Sequence, residues 1–187
     1  MFIDLSLPVE KHGAEHAEER ESSLFRLGHY GTHLDRLLGT VVAMDYFKSR
    51  GLLFDVRSFS NQRPVDIADV PLERVQAGDF VLFHTGALLR NAYASKEYLG
   101  EYIEFSWDLI TALLEKKIRF IGLDARGLRR NEEHRAADTR CEEAGVFVIE
   151  NMANTERLPV CAPFTLYVAA FDTGGTGLPC KVTAELA

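Results

Sequence analysis

The chain has 187 residues, 47% of them apolar and 26% charged, and its 28 acidic and 21 basic side chains leave a net charge of −7. That length and apolar fraction suit one globular domain, residues 1–187, with a single core. The acidic balance argues against nucleic acid as a partner, and no apolar run reaches the roughly 18 residues a membrane span needs.

Residues 2–7 alternate apolar and polar side chains, which predicts a short strand stopping at Pro8. Residues 10–23 are heavily charged, with His12, His16 and many glutamates, and read as a solvated segment or a mobile flap. Residues 23–35 carry a second strand. Residues 41–49 fit a short helix closed by Gly51, and 52–56 a strand. A short helix runs through Val75 to the turn Gly78-Asp79. The apolar run 80–83 then reads as a buried strand ending in the polar turn His84-Thr85-Gly86.

Ile103, Trp107, Ile110, Leu113 and Leu114 recur at helical spacing, which predicts a helix over 103–116 with Lys116 and Lys117 at its negative end. Residues 120–124 form another buried strand, ending in the carboxylate of Asp124. A polar helix follows over 131–144 with Gly145 as its cap, and the strand 146–149 delivers Glu150. Residues 160–170 read as one long strand, and 181–186 as the last, after a glycine-rich turn. Strands interleaved with helices give an α/β class, a mixed β-sheet with flanking helices.

The N-terminus lacks a basic stretch followed by an apolar core, so secretion is not expected. Cys141, Cys161 and Cys180 are widely spaced and form no CxxC pair, which suits buried free thiols in a reducing cytoplasm.

The chemistry concentrates in His29-Tyr30-Gly31-Thr32-His33-Leu34-Asp35. Two imidazoles and a carboxylate in seven residues are preferred ligands of zinc and manganese. Gly31 and Thr32 are weak helix formers, so a strand with positions 29, 31, 33 and 35 on one face fits better than a helix. A straight strand would separate the two histidine backbones by roughly 13 Å, too far for one ion with ligands at about 2.0–2.2 Å. Either the chain bends at Gly31, where backbone freedom is greatest, or two ions share the segment with Asp35 between them. The plain alternative is a polar turn whose histidines are hydrogen-bonded and bind nothing. Other polar residues at strand ends are His84, Asp124 and Glu150. His134 and Asp138 lie one turn apart on the preceding helix, on one face.

The chain resembles the cyclase-like metal-dependent hydrolases, the family of bacterial kynurenine formamidase and isatin hydrolase. The resemblance runs from Ile3-Asp4-Leu5-Ser6 through the HxGTHxD motif at 29–35, residues 78–86 and residues 120–124 to Val148-Ile149-Glu150-Asn151. It implies a swivelling β/α/β-like fold and a homodimer or homotetramer. It also implies one or two divalent ions, zinc or manganese, held by His29, His33, Asp35 and Glu150. The activity implied is hydrolysis of a carbon–nitrogen bond, amide or formamide, in a small molecule by metal-activated water. Two positions depart from the pattern. The family continues as DxPxH, its last histidine the general base, where this chain has Leu37 and Gly39. The family's later ligand histidine falls at Asp138. A carboxylate there shifts preference from zinc towards manganese or magnesium, and His134 is expected to replace it only if the helix shifts by a turn. Asp138, His134 and His84 are the candidate replacement bases. Loss of the base also leaves open a non-catalytic binder of the same fold.

Overall fold

The computed structural model describes residues 1–7 and 23–187; the charged segment read at 10–23 lies almost wholly outside them. Eight strands form one sheet: β1 (Phe2–Asp4), β2 (His33–Asp35), β3 (Lys48–Asp55), β4 (Phe80–His84), β5 (Phe120–Leu123), β6 (Phe147–Glu150), β7 (Phe164–Ala170) and β8 (Gly177–Glu185). Among the described residues five α-helices accompany them: α1 (Ser23–Arg26), α2 (Ala87–Arg90), α3 (Lys96–Gly100), α4 (Trp107–Glu115) and α5 (Glu132–Glu143).

Strands β3, β4, β5 and β6 run parallel, and the remaining pairings are antiparallel. The sheet closes on itself, because β8 pairs with β7 along one edge and with β2 and β1 along the other. The result is a mixed α/β barrel-like sheet with flanking helices.

Side-chain parity along the strands sorts the core into two clusters. Phe80 and Leu82 of β4, Phe120 of β5, and Phe147 and Ile149 of β6 fill the barrel with Leu34, Leu166 and Val182. Val81, Phe83, Ile121, Leu123 and Val148 face outward and meet the helices through Leu109, Ile110, Leu113 and Ala137. Both faces of the central parallel strands are therefore covered, which is why they read as unbroken apolar runs. Ser106 caps α4, its hydroxyl accepting from Leu109 N.

Several boundaries differ from the sequence reading. Residues 29–32 are turn, and strand geometry begins only at His33. The helix expected over 41–49 is a single 3₁₀ turn at Met44–Phe47, and Gly51 lies inside β3 rather than closing a helix. A Cβ on Gly51 would come within 2.5 Å of the Phe164 ring, so close strand packing explains that glycine. The long strand expected from 160 starts at Phe164, because Cys161 sits at φ 55° in a turn.

Candidate metal centre

Antiparallel pairing of β2 and β6 sets His33 directly opposite Glu150 and Leu34 opposite Ile149. Leu34 and Ile149 point into the barrel, so His33, Asp35 and Glu150 share the outer face. Helix α5 crosses that face and adds His134 and Asp138, one turn apart. The sequence places every one of these groups by strand parity or helical spacing.

His29 reaches the same point through a bend. Gly31 has φ 57°, the left-handed region that favours glycine. The bend is held on both sides: Gly31 N donates to the Tyr93 hydroxyl, and Gly31 O accepts from Asn151 Nδ2 and lies 3.0 Å from His33 Nδ1. With Nδ1 donating to that carbonyl, Nε2 of His33 keeps its lone pair free. Backbones also cross directly beneath His29. A Cβ on Gly28 would come within 1.9 Å of Gly177 O, and one on Gly177 within 2.7 Å of Gly28 C. That crossing brings Thr176 Oγ1 to 2.8 Å from His29 Nε2.

The side chains converge. His29 Nδ1 lies 3.3 Å from His33 Nε2 and 2.9 Å from Asp35 Oδ1. His33 Nε2 is 3.4 Å from Asp35 Oδ1 and 3.6 Å from Glu150 Oε2. His134 Nε2 is 3.1 Å from Asp138 Oδ2 and 3.0 Å from Glu150 Oε1. Two groups of donors result, His29/His33/Asp35 and Asp35/His134/Asp138/Glu150, each with its atoms within 4.8 Å of one another and with Asp35 common to both. The bend at Gly31 and a shared Asp35 are thus both present.

A divalent cation fits these residues. Asp35, Asp138 and Glu150 are each at least 95% buried, and Asp35 Oδ2, Asp138 Oδ1 and Glu150 Oε1 accept no hydrogen bond. Glu150 Oε1 stands near His134 Nε2 without aligned hydrogen-bond geometry. Orphaned buried carboxylate oxygens are costly unless a cation or donor meets them. Protonation behaviour shows the same shortage of positive charge. Burial alone would depress the His33 pKa, yet Asp35 and Glu150 raise it to about 9. Burial likewise opposes charge on His134, but Asp138 and Glu150 raise its pKa to about 11. Burial, with the charges of Asp35 and Glu150, lifts Asp138 to about 7 despite its hydrogen bond from His134. Asp35, although buried, is held well below the usual carboxylate range by His33 and His29.

The cluster floors a cavity of about 530 Å³ walled largely by Phe25, Leu27, Tyr30, Tyr93, Tyr98 and Leu99. Two expectations need correction. His134 needs no helix shift: it reaches the cluster from the observed register together with Asp138, because a residue four positions earlier shares the helix face. His84 does not line the cavity. It ends β4 on the parity that points into the barrel, 2% exposed, with Nδ1 2.8 Å from Thr155 Oγ1 and 3.1 Å from Asp124 Oδ2. Asp124 is also structural, accepting from Thr85 N, Thr85 Oγ1 and Gly86 N. Gly39, where the sequence resemblance implies a general base, is exposed, with no atom within 4 Å of a Cβ placed there. Sequence reading passed over Tyr93, Thr176 and Gly127. Of these only Gly127 adjoins a feature of the sequence, lying between Arg126 and the Arg129-Arg130 pair just before the polar helix.

Known proteins share this architecture. A solved structure described as a "potential metal-dependent hydrolase with cyclase activity" superposes with a TM-score of 0.75 at 22% identity, covering 98% of this chain and 96% of that one. Isatin hydrolase A from Labrenzia aggregata, bound to benzyl benzoate, gives 0.73 at 18% identity, covering 98% and 93%. The enzyme of that name from Ralstonia solanacearum gives 0.74 at 16% identity, covering 98% and 91%. At these identities the likeness establishes the fold. No curated protein matches the chain. The sequence model of the Cyclase family, described as "Putative cyclase", matches residues 3–128, which include His29, His33 and Asp35 but end before α5 and β6. The match spans more than half of the chain, which therefore belongs to the Cyclase family.

Proposed function

We propose that the protein is a metal-dependent hydrolase that cleaves a carbon–nitrogen bond, of the amide or formamide type, in a small molecule. The observation that carries this reading is the convergence of six buried or half-buried donors, three of them with orphaned carboxylate oxygens, at the floor of an aromatic-walled cavity. The named relatives, a metal-dependent hydrolase and isatin hydrolases, support it. His29, His33, Asp35, His134, Asp138 and Glu150 would hold one or two divalent ions, with Asp35 between them. A bound divalent ion lowers the pKa of water and polarises a carbonyl. Three carboxylates among the donors favour manganese over zinc.

The chain's own groups supply the rest. The Gly31 carbonyl orients His33, and Asn151 and Tyr93 hold that bend. The apolar wall binds the body of the substrate and excludes water from the reacting carbonyl. Asp138, on the helix face beside His134 at the cavity floor, is the candidate to carry a proton to the leaving nitrogen. Assembly as a homodimer or homotetramer in the cytoplasm belongs to the same reading. Metal analysis of purified protein, with formanilide and lactam hydrolysis assayed with and without chelator, tests it. Absence of both bound metal and chelator-sensitive turnover would overturn it.

One observation favours a second reading. Gly39 leaves the family's base position without a side chain, as expected of a non-catalytic binder that keeps the metal. Metal affinity with no turnover across a broad panel of amides and lactones would establish that alternative.

A further inference from the structure

The cavity mouth carries two guanidinium groups without a carboxylate partner among the described residues. Arg126, just beyond β5, and Arg135, on the second turn of α5, both line the cavity and are exposed. Neither forms an ion pair or side-chain hydrogen bond with any described residue. Nearby arginines behave differently. Arg129 pairs with Glu104 and Glu133, and Arg90 with Glu101.

Exposure lets water satisfy a lone guanidinium cheaply, so the missing partner is informative only through its placement. The chain has 28 acidic against 21 basic side chains, and the cavity floor holds three more carboxylates than lysines or arginines. Arg126 and Arg135 place positive charge on the cavity lining, where it favours an anionic group on a ligand. Arg135 follows His134 directly, so one helical turn presents a donor to the cluster and a guanidinium to the mouth. Asn131, between the two arginines in sequence, also lines the cavity and its side chain caps nothing. Guanidinium forks match carboxylate geometry better than any other side chain.

We propose that Arg126 and Arg135 form a carboxylate-binding subsite, and that the amide hydrolysed at the cluster has an apolar or aromatic body bearing an acidic group. The substrate half of this statement rests on the hydrolase reading above; the subsite does not. Calorimetric titration of the protein with 3-phenylpropanoate and with its neutral amide, each with and without chelator, tests the subsite. The acid is expected to bind about tenfold more tightly, as one charge-assisted pair would give. That ratio falls towards one in the Arg126→Gln/Arg135→Gln double variant, is partly kept by lysine at both positions, and shrinks with added salt. Unchanged thermal denaturation of these surface variants checks that they fold. Equal affinity for acid and amide, no binding of either by about 10 mM, or a preference that survives the double variant would overturn the subsite. An acid preference in a protein without chelator-sensitive turnover would instead overturn the hydrolase reading and the substrate assignment, leaving the subsite standing.

Discussion

The imidazole of His134 packs against Gly127: a Cβ built there would lie 2.7 Å from His134 Cε1 and 2.9 Å from Nε2. Only a residue without a side chain lets the histidine stand where Nε2 meets Asp138 and Glu150. Gly127→Ala is therefore expected to displace the ring and weaken metal binding about 10–100-fold, the usual cost of disturbing a ligand's support. Gly127 also has φ 68°, so alanine adds roughly 1 kcal/mol of backbone strain. Gly78→Ala is the control, with φ 82° and its nearest neighbour 3.9 Å from a Cβ. Chelator competition should show the loss for Gly127→Ala alone, although both variants lower the melting temperature.

His84 and His33 are both 2% exposed, but different groups hold them. His84 is tied to Thr155 and Asp124 at the end of β4, outside the cavity lining. His84→Gln is expected to cost about 1–3 kcal/mol of stability through broken buried hydrogen bonds and to leave metal affinity unchanged. His33→Ala should abolish the rise in melting temperature that manganese or zinc gives the chelator-treated protein. That rise corresponds to about 2.7 kcal/mol at a hundredfold excess over the dissociation constant. Metal stabilisation surviving His33→Ala, or lost in His84→Gln, would reverse these assignments.

In the protein stripped of metal, the cluster should make stability fall as pH rises. Burial works against charge on His134 and His33, yet their carboxylate neighbours raise them from 6.5 to about 11 and about 9. The folded state thus binds these protons more tightly, so their contribution is complete below pH 6.5 and is lost as pH rises through those values. Asp138, raised mainly by burial from 3.8 to about 7, has the same sign and acts between those two values. Asp35 has the opposite sign and matters only as pH falls below 3.8. The metal-free melting temperature should therefore decline from about pH 6 to about pH 9. Metal affinity should climb over the same range, because binding expels the protons. Calorimetry in two buffers of different ionisation enthalpy reads that release. A flat metal-free profile with pH-independent affinity would contradict the clustering.

What each residue depends on decides how much of the fold and site is legible in the sequence. The 80–83 and 120–124 runs and the helix at Ile110 and Leu113 were legible because burial dictates period and composition. His33, Asp35 and Glu150 were legible as ligands because their positions follow strand parity. The bend before His33 was legible only as one of two alternatives, since the Tyr93 and Asn151 groups that hold the Gly31 backbone are distant in sequence. His134 shares the Asp138 face of α5 by helical spacing, whereas the room for its ring, left by Gly127, is a tertiary contact. Barrel closure is likewise a tertiary fact, decided by β8 pairing with β7 on one edge and β2 on the other.

Gly39 offers a test of whether the proposed hydrolysis needs the base that the resemblance implies at that position. The loop around it is fixed, since buried Glu142 accepts from Leu38 N through Oε2 at 2.8 Å and from Thr40 N through Oε1 at 2.9 Å. Gly39 itself has φ 75° and does not line the cavity, although Leu37 does. A histidine installed there would bear about 1 kcal/mol of left-handed strain and project into open space with no group to orient it. A general base contributes about 10²–10⁴-fold only when it is held at the proton it takes. Gly39→His is therefore expected to change turnover on any amide by less than about threefold, with metal affinity unaltered. If turnover rises by about 10² or more, the pinned loop must swing over the cavity. The wild-type chain would then be an intact hydrolytic frame lacking a single side chain, and the non-catalytic binder would become the better description of it.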